Sequence, residues 1–305
     1  MMFLGIVVLY ALSFCLVVGF DEWFVVWIGL ELNMISFLML GYKACNLLVV
    51  EAMGSYFFVQ SLASGVVLGM MYLGWNDAIW GALLAMKMGV GPFYGWYIKV
   101  LQSLKWWTNY ILMIFQKIIL LLLMSEIVSF IVWSIGLMSL IIGLFGIFGQ
   151  INLKVVLGFS SVFHSGWMLL LMGEDYIWGV YLIVYGLMML GVVEVMNNYG
   201  FVSILSSFSK NKSSLILLIL NLGGIPPLTG FILKWLSFYV LWLFDYGVLL
   251  LMVFISVGML FVYMRMAYDV MLGGMLYSAW NVSFDMFVPM EMLCFVGVIL
   301  LFLMN

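Results

Sequence analysis

Three lysines stand inside long apolar stretches of this chain, where ammonium groups are rare: Lys87, Lys117 and Lys234. A lysine in water has a pKa near 10.4 and holds its proton at neutral pH. Because burial disfavours the charged form, a lysine taken out of water can reach a pKa at which it takes up and releases protons. The three residues therefore predict a path for protons through an apolar environment.

Three other ionisable groups lie in or beside the same apolar stretches. Glu31 lies in the middle of one, Glu194 lies near the end of another, and His164 is the only histidine of the chain. A charged side chain inside a spanning helix costs about 2.5–3.5 kcal/mol on insertion scales, so a chain that keeps several is expected to use them. Glu194 is a candidate for proton uptake or a carboxylate that extends to the membrane surface. His164, taken alone, is also typical of a helix-packing histidine.

The elements that hold these groups are predicted to be transmembrane helices. Of the 305 residues, 68% are hydrophobic and 8% are charged, whereas about 25% are charged in ordinary soluble chains. Since a span needs about 20 apolar residues, this length leaves no room for a sizeable soluble domain. The charges and turn residues predict an all-α transmembrane bundle of eleven helices, at roughly 2–19, 22–43, 51–74, 77–101, 106–124, 126–149, 153–172, 175–198, 213–242, 246–270 and 286–304.

Two of the predicted helices are interrupted by residues that a helix does not tolerate. The ninth contains the sequence LGGIPPLTGFILKWL at 222–236, and the fourth has a weaker interruption. Irregular backbone at membrane depth is tolerated only where protein or a water-filled cavity surrounds it. A broken helix that carries a lysine therefore indicates a transport path. The residues predicted to break the two helices are Gly89, Gly91, Pro92, Gly223, Gly224, Pro226 and Pro227.

The charges of the connections indicate how the chain is oriented. The connections after even-numbered helices, with their flanking turns, carry basic residues, whereas the connections after odd-numbered helices carry acidic residues and neither Lys nor Arg. This asymmetry places the N-terminus on the positive-inside face and the C-terminus opposite. The seven basic residues are Lys43, Lys99, Lys105, Lys154, Lys210, Lys212 and Arg265.

The positions of the interruptions predict an internal repeat. Residues 1–124 form a first set of five helices, residues 125–270 a second set, and residues 271–305 a C-terminal segment with one helix. The fourth helix of each set is interrupted and carries a lysine. Because each set has an odd number of helices, the second crosses the membrane in the opposite sense. We therefore expect two inverted repeats in a single membrane domain.

Several other kinds of site have no support in the sequence. The three cysteines are far apart and form no CxxC pair, which argues against an iron–sulfur cluster, a zinc site or a disulfide framework. A single histidine cannot build a multi-histidine metal site. The net charge of −3, without a basic patch, argues against nucleic-acid binding. We expect neither a metal nor a cofactor in this chain.

Six motifs, taken together, resemble one family of membrane proteins. They are WIGLELN (27–33), EAMGSYFFVQSLAS (51–64), LAMKMGVGPFYGW (84–96), the pair Gln116–Lys117, LGFSSVFHSGWM (157–168) and LGGIPPLTGFILKWL (222–236). In this order they are similar to the subunit 2 family of mitochondrial NADH dehydrogenase (ubiquinone). That family comprises antiporter-like, proton-pumping subunits in the membrane arm of respiratory complex I. The resemblance extends over about residues 20–240.

The resemblance implies a role for each ionisable residue. Glu31 corresponds to the family's glutamate that pairs with a lysine on a discontinuous helix, here Lys87. Lys117 corresponds to the central lysine of the proton path, Lys234 to the lysine on the second discontinuous helix, and His164 to a histidine between those two. Separation of Glu31 from Lys87 would favour proton transfer towards Lys117. The alternative for Glu31 and Lys87 is a structural ion pair that joins two helices.

The resemblance also implies a function and a setting. The chain would be a proton-translocating core subunit of NADH:ubiquinone oxidoreductase in the mitochondrial inner membrane, with its N-terminus on the matrix side and its C-terminus facing the intermembrane space. Its partners would be the other core and accessory subunits of the membrane arm and membrane lipids, and partner subunits would hold FMN, iron–sulfur clusters and ubiquinone. Two alternatives stay open: a subunit of a multisubunit cation/proton antiporter, and a scaffold whose lysines are idle.

Overall fold

The computed structural model describes residues 2–20, 22–42, 46–74, 76–127, 130–173, 176–200, 212–226, 228–244 and 246–273. Within these residues the regular structure is helical, which confirms the predicted all-α class. The eleventh predicted helix, at 286–304, and Pro227 lie outside the described residues.

The chain folds into two compact units, Met1–Ser139 and Leu140–Asn305. The elements of the first unit are α1 (Met2–Gly19), α2 (Trp23–Gly41), α3 (Leu47–Leu73), α4 (Asp77–Met88), a 3-10 turn (Gly91–Phe93), α5 (Tyr94–Ser103), α6 (Trp106–Tyr110), a π-helical segment (Ile111–Phe115) and α7 (Gln116–Ser125). The next helix, α8 (Phe130–Ile147), begins in the first unit and ends in the second. The second unit continues with α9 (Leu153–Leu170), a 3-10 turn (Leu171–Gly173), α10 (Ile177–Tyr199), α11 (Lys212–Gly223), α12 (Thr229–Phe244) and α13 (Tyr246–Gly273).

The helices account for the predicted spans as far as residue 273. Among the described residues, seven helices are long and apolar enough to cross a membrane. The other three predicted spans correspond to α1 and to two interrupted helices, α4 with α5 and α11 with α12. The chain is therefore a multi-pass membrane protein. The predicted repeat boundary at residues 124/125 and the inversion of the repeats stay predictions.

One helix begins earlier than the sequence predicts. Helix α3 starts at Leu47, four residues before Glu51, the residue at which the predicted helix begins. The Glu51 side chain is exposed in the second turn of the helix, so the helix includes this charge without burying it. A single charge close to a helix end is therefore a poor marker of that end.

Helix α9 forms the buried centre of the second unit. Every residue of α9 except Lys154 is buried. Two glycines on α8 permit close packing against it: a Cβ atom at Gly143 would lie 2.7 Å from the Cβ atom of Phe163, and one at Gly146 would overlap the ring of Phe159. Small residues bring helix backbones together in membranes. This packing sets the position of His164, the next residue after Phe163.

Candidate functional site

The first interrupted helix consists of α4 and α5, and its first half, α4, ends in the turn that carries Lys87. Gly89 has a φ of 70° and Gly91 a φ of 63°, both in the left-handed region that favours glycine. A Cβ atom at Gly89 would also lie 2.7 Å from the Cβ atom of Tyr97. Pro92 stands in the 3-10 turn that follows, outside any helix interior that its missing N–H would weaken. The break therefore lies where these residue types permit it.

Side chains bind two of the last carbonyl groups of α4, at the break. The amide of Gln60, on α3, donates a 2.8 Å hydrogen bond to the carbonyl oxygen of Lys87. The indole N–H of Trp96, on α5, donates a 3.1 Å bond to the carbonyl oxygen of Met86. A helix end in hydrocarbon needs such partners because no water is present to supply them. The protein thus stabilises an irregular backbone beside a buried lysine.

Lys87 and Lys117 line the same cavity, although 30 positions separate them in the sequence. Their side chains are only 4% and 3% exposed. The cavity has about 10 Å³ available to the centre of a water molecule, close to the roughly 10–15 Å³ that one water needs. The lining residues are Tyr56, Gln60, Lys87, Met88, Trp96, Tyr97, Leu112, Gln116, Lys117 and Leu120. Two buried ammonium groups thus border a space the size of one water molecule.

Glu31 lies on α2 beside this cluster. Its side chain is half-buried, and its charge acts electrostatically on Lys87. Two residues further along α2, the amide of Asn33 exchanges two hydrogen bonds of 3.2 Å with the amide of Gln116. Because Gln116 precedes Lys117, this amide pair joins the helix of the carboxylate to the helix of the central lysine. Glu31, Lys87 and Lys117 therefore belong to one cluster in the first unit.

A π-helical segment, Ile111–Phe115, directly precedes Gln116 and Lys117. Segments of this kind are rare and occur frequently at functional sites. The segment and its flanking helices form one apolar span, Trp106–Ser125. At its centre the ammonium nitrogen of Lys117 lies 5.0 Å from the ring centroid of Tyr97. The aliphatic sequence around Lys117 contains no signal for the π segment, which the sequence analysis missed.

In the second unit, two tyrosines of α10 surround His164. The Nδ1 atom of His164 lies 2.8 Å from the hydroxyl oxygen of Tyr181, within hydrogen-bonding distance. The imidazole and the ring of Tyr185 have centroids 4.6 Å apart, with an angle of 31° between their planes. His164 is 3% exposed. Because a tyrosine hydroxyl can donate or accept a hydrogen bond, the contact with Tyr181 orients the imidazole in either tautomer.

The second broken helix is bridged by Asn221. Its side-chain oxygen accepts a 2.8 Å bond from the hydroxyl of Thr229 and a 2.9 Å bond from the backbone N–H of Gly230. A Cβ atom at Gly230 would overlap the backbone carbonyl of Asn221. Gly224, with a φ of 69°, makes the turn after α11. The two half-helices α11 and α12 are thus joined by a defined set of hydrogen bonds.

Lys234 reaches back across this break to the end of α11. Its ammonium nitrogen donates a 2.6 Å hydrogen bond to the carbonyl oxygen of Gly223, the last residue of that helix. The C-terminal end of a helix carries partial negative charge and favours a cation. Lys234 is 6% exposed, so the helix end takes the place of water for its charge.

The remaining predicted site residues lie in different surroundings. Glu194 is half-buried near the end of α10, and Pro226 is exposed between α11 and α12. His164 and Lys234 both belong to the second unit, where each contacts its own set of partners. Among the described residues, no group of three His, Cys, Asp or Glu side chains could hold a metal ion.

Comparisons with known proteins show the family of this chain. Residues 78–261 match the transmembrane family described as NADH:quinone oxidoreductase/Mrp antiporter. Over 284 residues the chain is 30% identical to NADH-ubiquinone oxidoreductase chain 2 of Anopheles gambiae, and the match covers 85% of this chain and 83% of that protein. The chain belongs to the NADH-ubiquinone oxidoreductase chain 2 family. The resemblance of the six sequence motifs is thereby confirmed.

Solved structures share the fold of this family member. The chain superposes on a chain of respiratory complex I from Thermus thermophilus with bound aureothin, with a TM-score of 0.80, 20% identity and coverage of 99% of this chain and 77% of that chain. It is also similar to a chain of the Mrp complex from Dietzia sp. DQ12-45-1b, with a TM-score of 0.72, 17% identity and coverage of 88% and 59%.

For this member of the NADH-ubiquinone oxidoreductase chain 2 family, the structure adds residues that the sequence analysis did not assign to the site. Three of them, Asn33, Gln60 and Asn221, are polar residues inside apolar spans. The sequence could have indicated these three, because such groups need partners when they are buried. The tyrosines and Gly230 carried no such signal. The added residues are Asn33, Gln60, Asn221, Trp96, Tyr97, Tyr181, Tyr185 and Gly230.

Proposed function

We propose that the chain is a proton-translocating core subunit in the membrane arm of an NADH:ubiquinone oxidoreductase. Protons move through the side chains of Glu31, Lys87, Lys117, His164 and Lys234, and redox chemistry in other subunits drives the movement. The observation that carries the proposal is the small cavity that Lys87 and Lys117 share beside a helix break. The family membership supports it.

Electrostatics make the first cluster suitable for a switch. Two like charges about 10 Å apart interact by roughly 1.7 kcal/mol at an effective dielectric constant near 20, so a proton on one lysine disfavours a proton on the other. The carboxylate of Glu31 stabilises the charged form of Lys87. When a conformational change separates Glu31 from Lys87, that stabilisation falls and the proton passes towards Lys117. The cavity that both lysines line has room for about one water, which can take part in the transfer.

In the second unit, protons pass through His164 and Lys234. The hydrogen bond to Tyr181 orients the imidazole of His164, which can accept a proton on one nitrogen and release one from the other. Lys234 holds a proton against the carbonyl of Gly223. The break between α11 and α12 lies next to this bond, so a change at the break alters how firmly the proton is held.

We also propose in which membrane the chain lies and which molecules surround it. The chain lies in the mitochondrial inner membrane with its N-terminus on the matrix side and its C-terminus towards the intermembrane space, and Glu194 contributes to proton uptake. Other membrane-arm core and accessory subunits and membrane lipids surround it. FMN, iron–sulfur clusters and ubiquinone are bound by partner subunits, and this chain binds no cofactor. Protease protection of the two termini in sealed mitochondria, with and without a permeabilised outer membrane, tests the orientation.

A second candidate function is that of a subunit in a multisubunit cation/proton antiporter. The family description includes Mrp antiporters, and the fold likeness to the Mrp complex favours this alternative. Migration on a native gel separates the two functions. If the chain migrates with rotenone-sensitive NADH:quinone reductase activity, it belongs to the redox-driven complex. If it migrates in a smaller assembly without flavin, and proton movement depends on sodium, the antiporter function replaces the first proposal.

The test of proton transfer is Lys117→Met in the assembled complex, reconstituted into sealed vesicles. The measured quantity is the number of protons moved per NADH oxidised. A positioned proton carrier contributes about 10²–10⁴-fold to a transfer rate, so the variant should lose translocation through this chain at an unchanged assembled amount. Lys105→Met, at an exposed lysine of the same unit, is the matched control. Unchanged translocation in assembled Lys117→Met would show that the chain is a scaffold.

A further inference from the structure

The first interrupted helix carries one lysine of the cavity on its first half and contacts the other lysine with its second half. Its first half, α4, carries Lys87 in its last turn. Its second half, α5, carries Tyr97, and the ring centroid of Tyr97 lies 5.0 Å from the ammonium nitrogen of Lys117. Both lysines and Tyr97 line the same cavity. The break therefore lies between the segment that carries one lysine and the segment that contacts the other.

The ring of Tyr97 is held by the break itself. The side chain is 1% exposed, and its Cβ atom packs against the backbone at Gly89 so closely that a Cβ there would lie 2.7 Å away. The ring of Trp96 meets the Tyr97 ring edge to face, with centroids 5.9 Å apart. The indole of Trp96 in turn binds the carbonyl of Met86, before the break. A shift of α5 relative to α4 would consequently move the Tyr97 ring.

We propose that Tyr97 is a positioning residue for Lys117, whose ammonium group it holds at the cavity shared with Lys87 by a cation–π contact. The face of an aromatic ring carries negative charge density and attracts an ammonium group, most strongly where water is excluded. The contact favours Lys117 in the orientation from which it exchanges a proton with the cavity. Because the ring moves with α5, a change at the break also changes the hold on Lys117. This inference rests on the proposed proton path.

The test compares Tyr97→Phe with Tyr97→Leu in the intact complex. Phenylalanine keeps the aromatic face, so Tyr97→Phe should translocate nearly as many protons per NADH as the unmodified complex. Leucine keeps an apolar side chain but has no aromatic face. Since a desolvated cation–π contact changes an equilibrium by about 10- to 30-fold, Tyr97→Leu should lower proton translocation towards that of Lys117→Met.

Phe37→Leu is the matched control for the loss of a buried ring in the same unit. Phe37 is 0% exposed, and its ring packs against Tyr56 of the cavity lining, but Phe37 is not itself a lining residue. Its substitution should reduce the amount of assembled complex, because a buried ring is lost, but leave the ratio of protons to NADH unchanged. The assembled amount is therefore measured for every variant, and translocation is compared per assembled complex.

Two outcomes overturn the inference. One is normal translocation in assembled Tyr97→Leu, and the other is an equal loss in Tyr97→Phe and Tyr97→Leu. If Tyr97→Leu does not assemble, the double variant Tyr97→Leu with Lys117→Met is measured. Recovery of assembly supports the contact, because no ammonium group then faces the space left by the ring. Continued failure to assemble overturns the inference. If Lys117→Met itself translocates normally, the proposed function fails instead, so the two failures are distinguishable.

Discussion

The ammonium nitrogen of Lys234 donates a 2.6 Å hydrogen bond to the carbonyl oxygen of Gly223, eleven residues earlier in the chain and on the other side of a helix break. A buried cation and the negative end of a helix thereby stabilise one another. The bond joins the two half-helices α11 and α12 through a group that can gain or lose a proton. The stability of the break and the charge of Lys234 are consequently linked.

Substitution of Lys234 by methionine removes this donor and should loosen the break. The carbonyl of Gly223 then loses a charged partner, at a cost of about 1–3 kcal/mol. Hydrogen exchange of residues 219–231 in the assembled complex should accelerate, and proton translocation per NADH should fall. Lys105→Met is again the exposed control and should change neither quantity. Unchanged exchange around the break in Lys234→Met would contradict the link.

Gly224→Ala should be strongly destabilising. Gly224 has a φ of 69°, and an added Cβ would lie 2.9 Å from the Cε atom of Lys234 and 3.0 Å from the carbonyl oxygen of Gly230. Backbone strain of this kind costs about 1–3 kcal/mol, and the thermal inactivation temperature of the complex should fall. Gly54→Ala, in open space within α3, should be neutral or stabilising by about 0.5–1 kcal/mol. Equal effects of the two changes would contradict the steric argument.

The amide pair of Asn33 and Gln116 predicts a non-additive result. Either single substitution by leucine leaves a buried amide without its partner, which costs about 1–3 kcal/mol. The double variant removes both amides and should be less destabilised than the sum of the single variants, by about 0.5–3 kcal/mol. Thermal inactivation of the assembled complex measures all three variants. Simple additivity would show that the two amides do not support one another.

Tyr181→Phe should slow proton translocation with little effect on assembly. The substitution keeps the ring but removes the hydroxyl that contacts Nδ1 of His164, so the imidazole loses the partner that orients it. A net hydrogen bond contributes about 0.5–1.5 kcal/mol, which corresponds to a rate loss of a few-fold to about tenfold. Tyr176→Phe, at a tyrosine that is 83% exposed, should have no effect. A normal rate in Tyr181→Phe would show that the hydroxyl does not position His164.

Much of the fold could be predicted because membrane insertion constrains sequence strongly. Apolar length predicted the spans through residue 273, and Gly89, Gly91 and Gly223 marked the two interruptions where α4 and α11 end. The start of α3 was predicted four residues too late, because Glu51 is an exposed residue inside the helix and does not mark its beginning. The π segment before Gln116 was missed, since its hydrogen-bond shift depends on packing that aliphatic residues do not encode locally.

The sequence by itself determined which ionisable groups lie within the apolar spans, because a charged side chain in hydrocarbon is costly and is retained mainly where it has a function. It could not determine their partners. That Lys87 and Lys117 share one cavity, that Gln60 binds the carbonyl of Lys87, and that Tyr97 faces Lys117 are contacts between distant segments. Periodicity shows which side of a helix is buried, whereas the contacting residue depends on how helices pack. Only the tertiary structure decided that a pair of lysines, a glutamate and a tyrosine form one cluster.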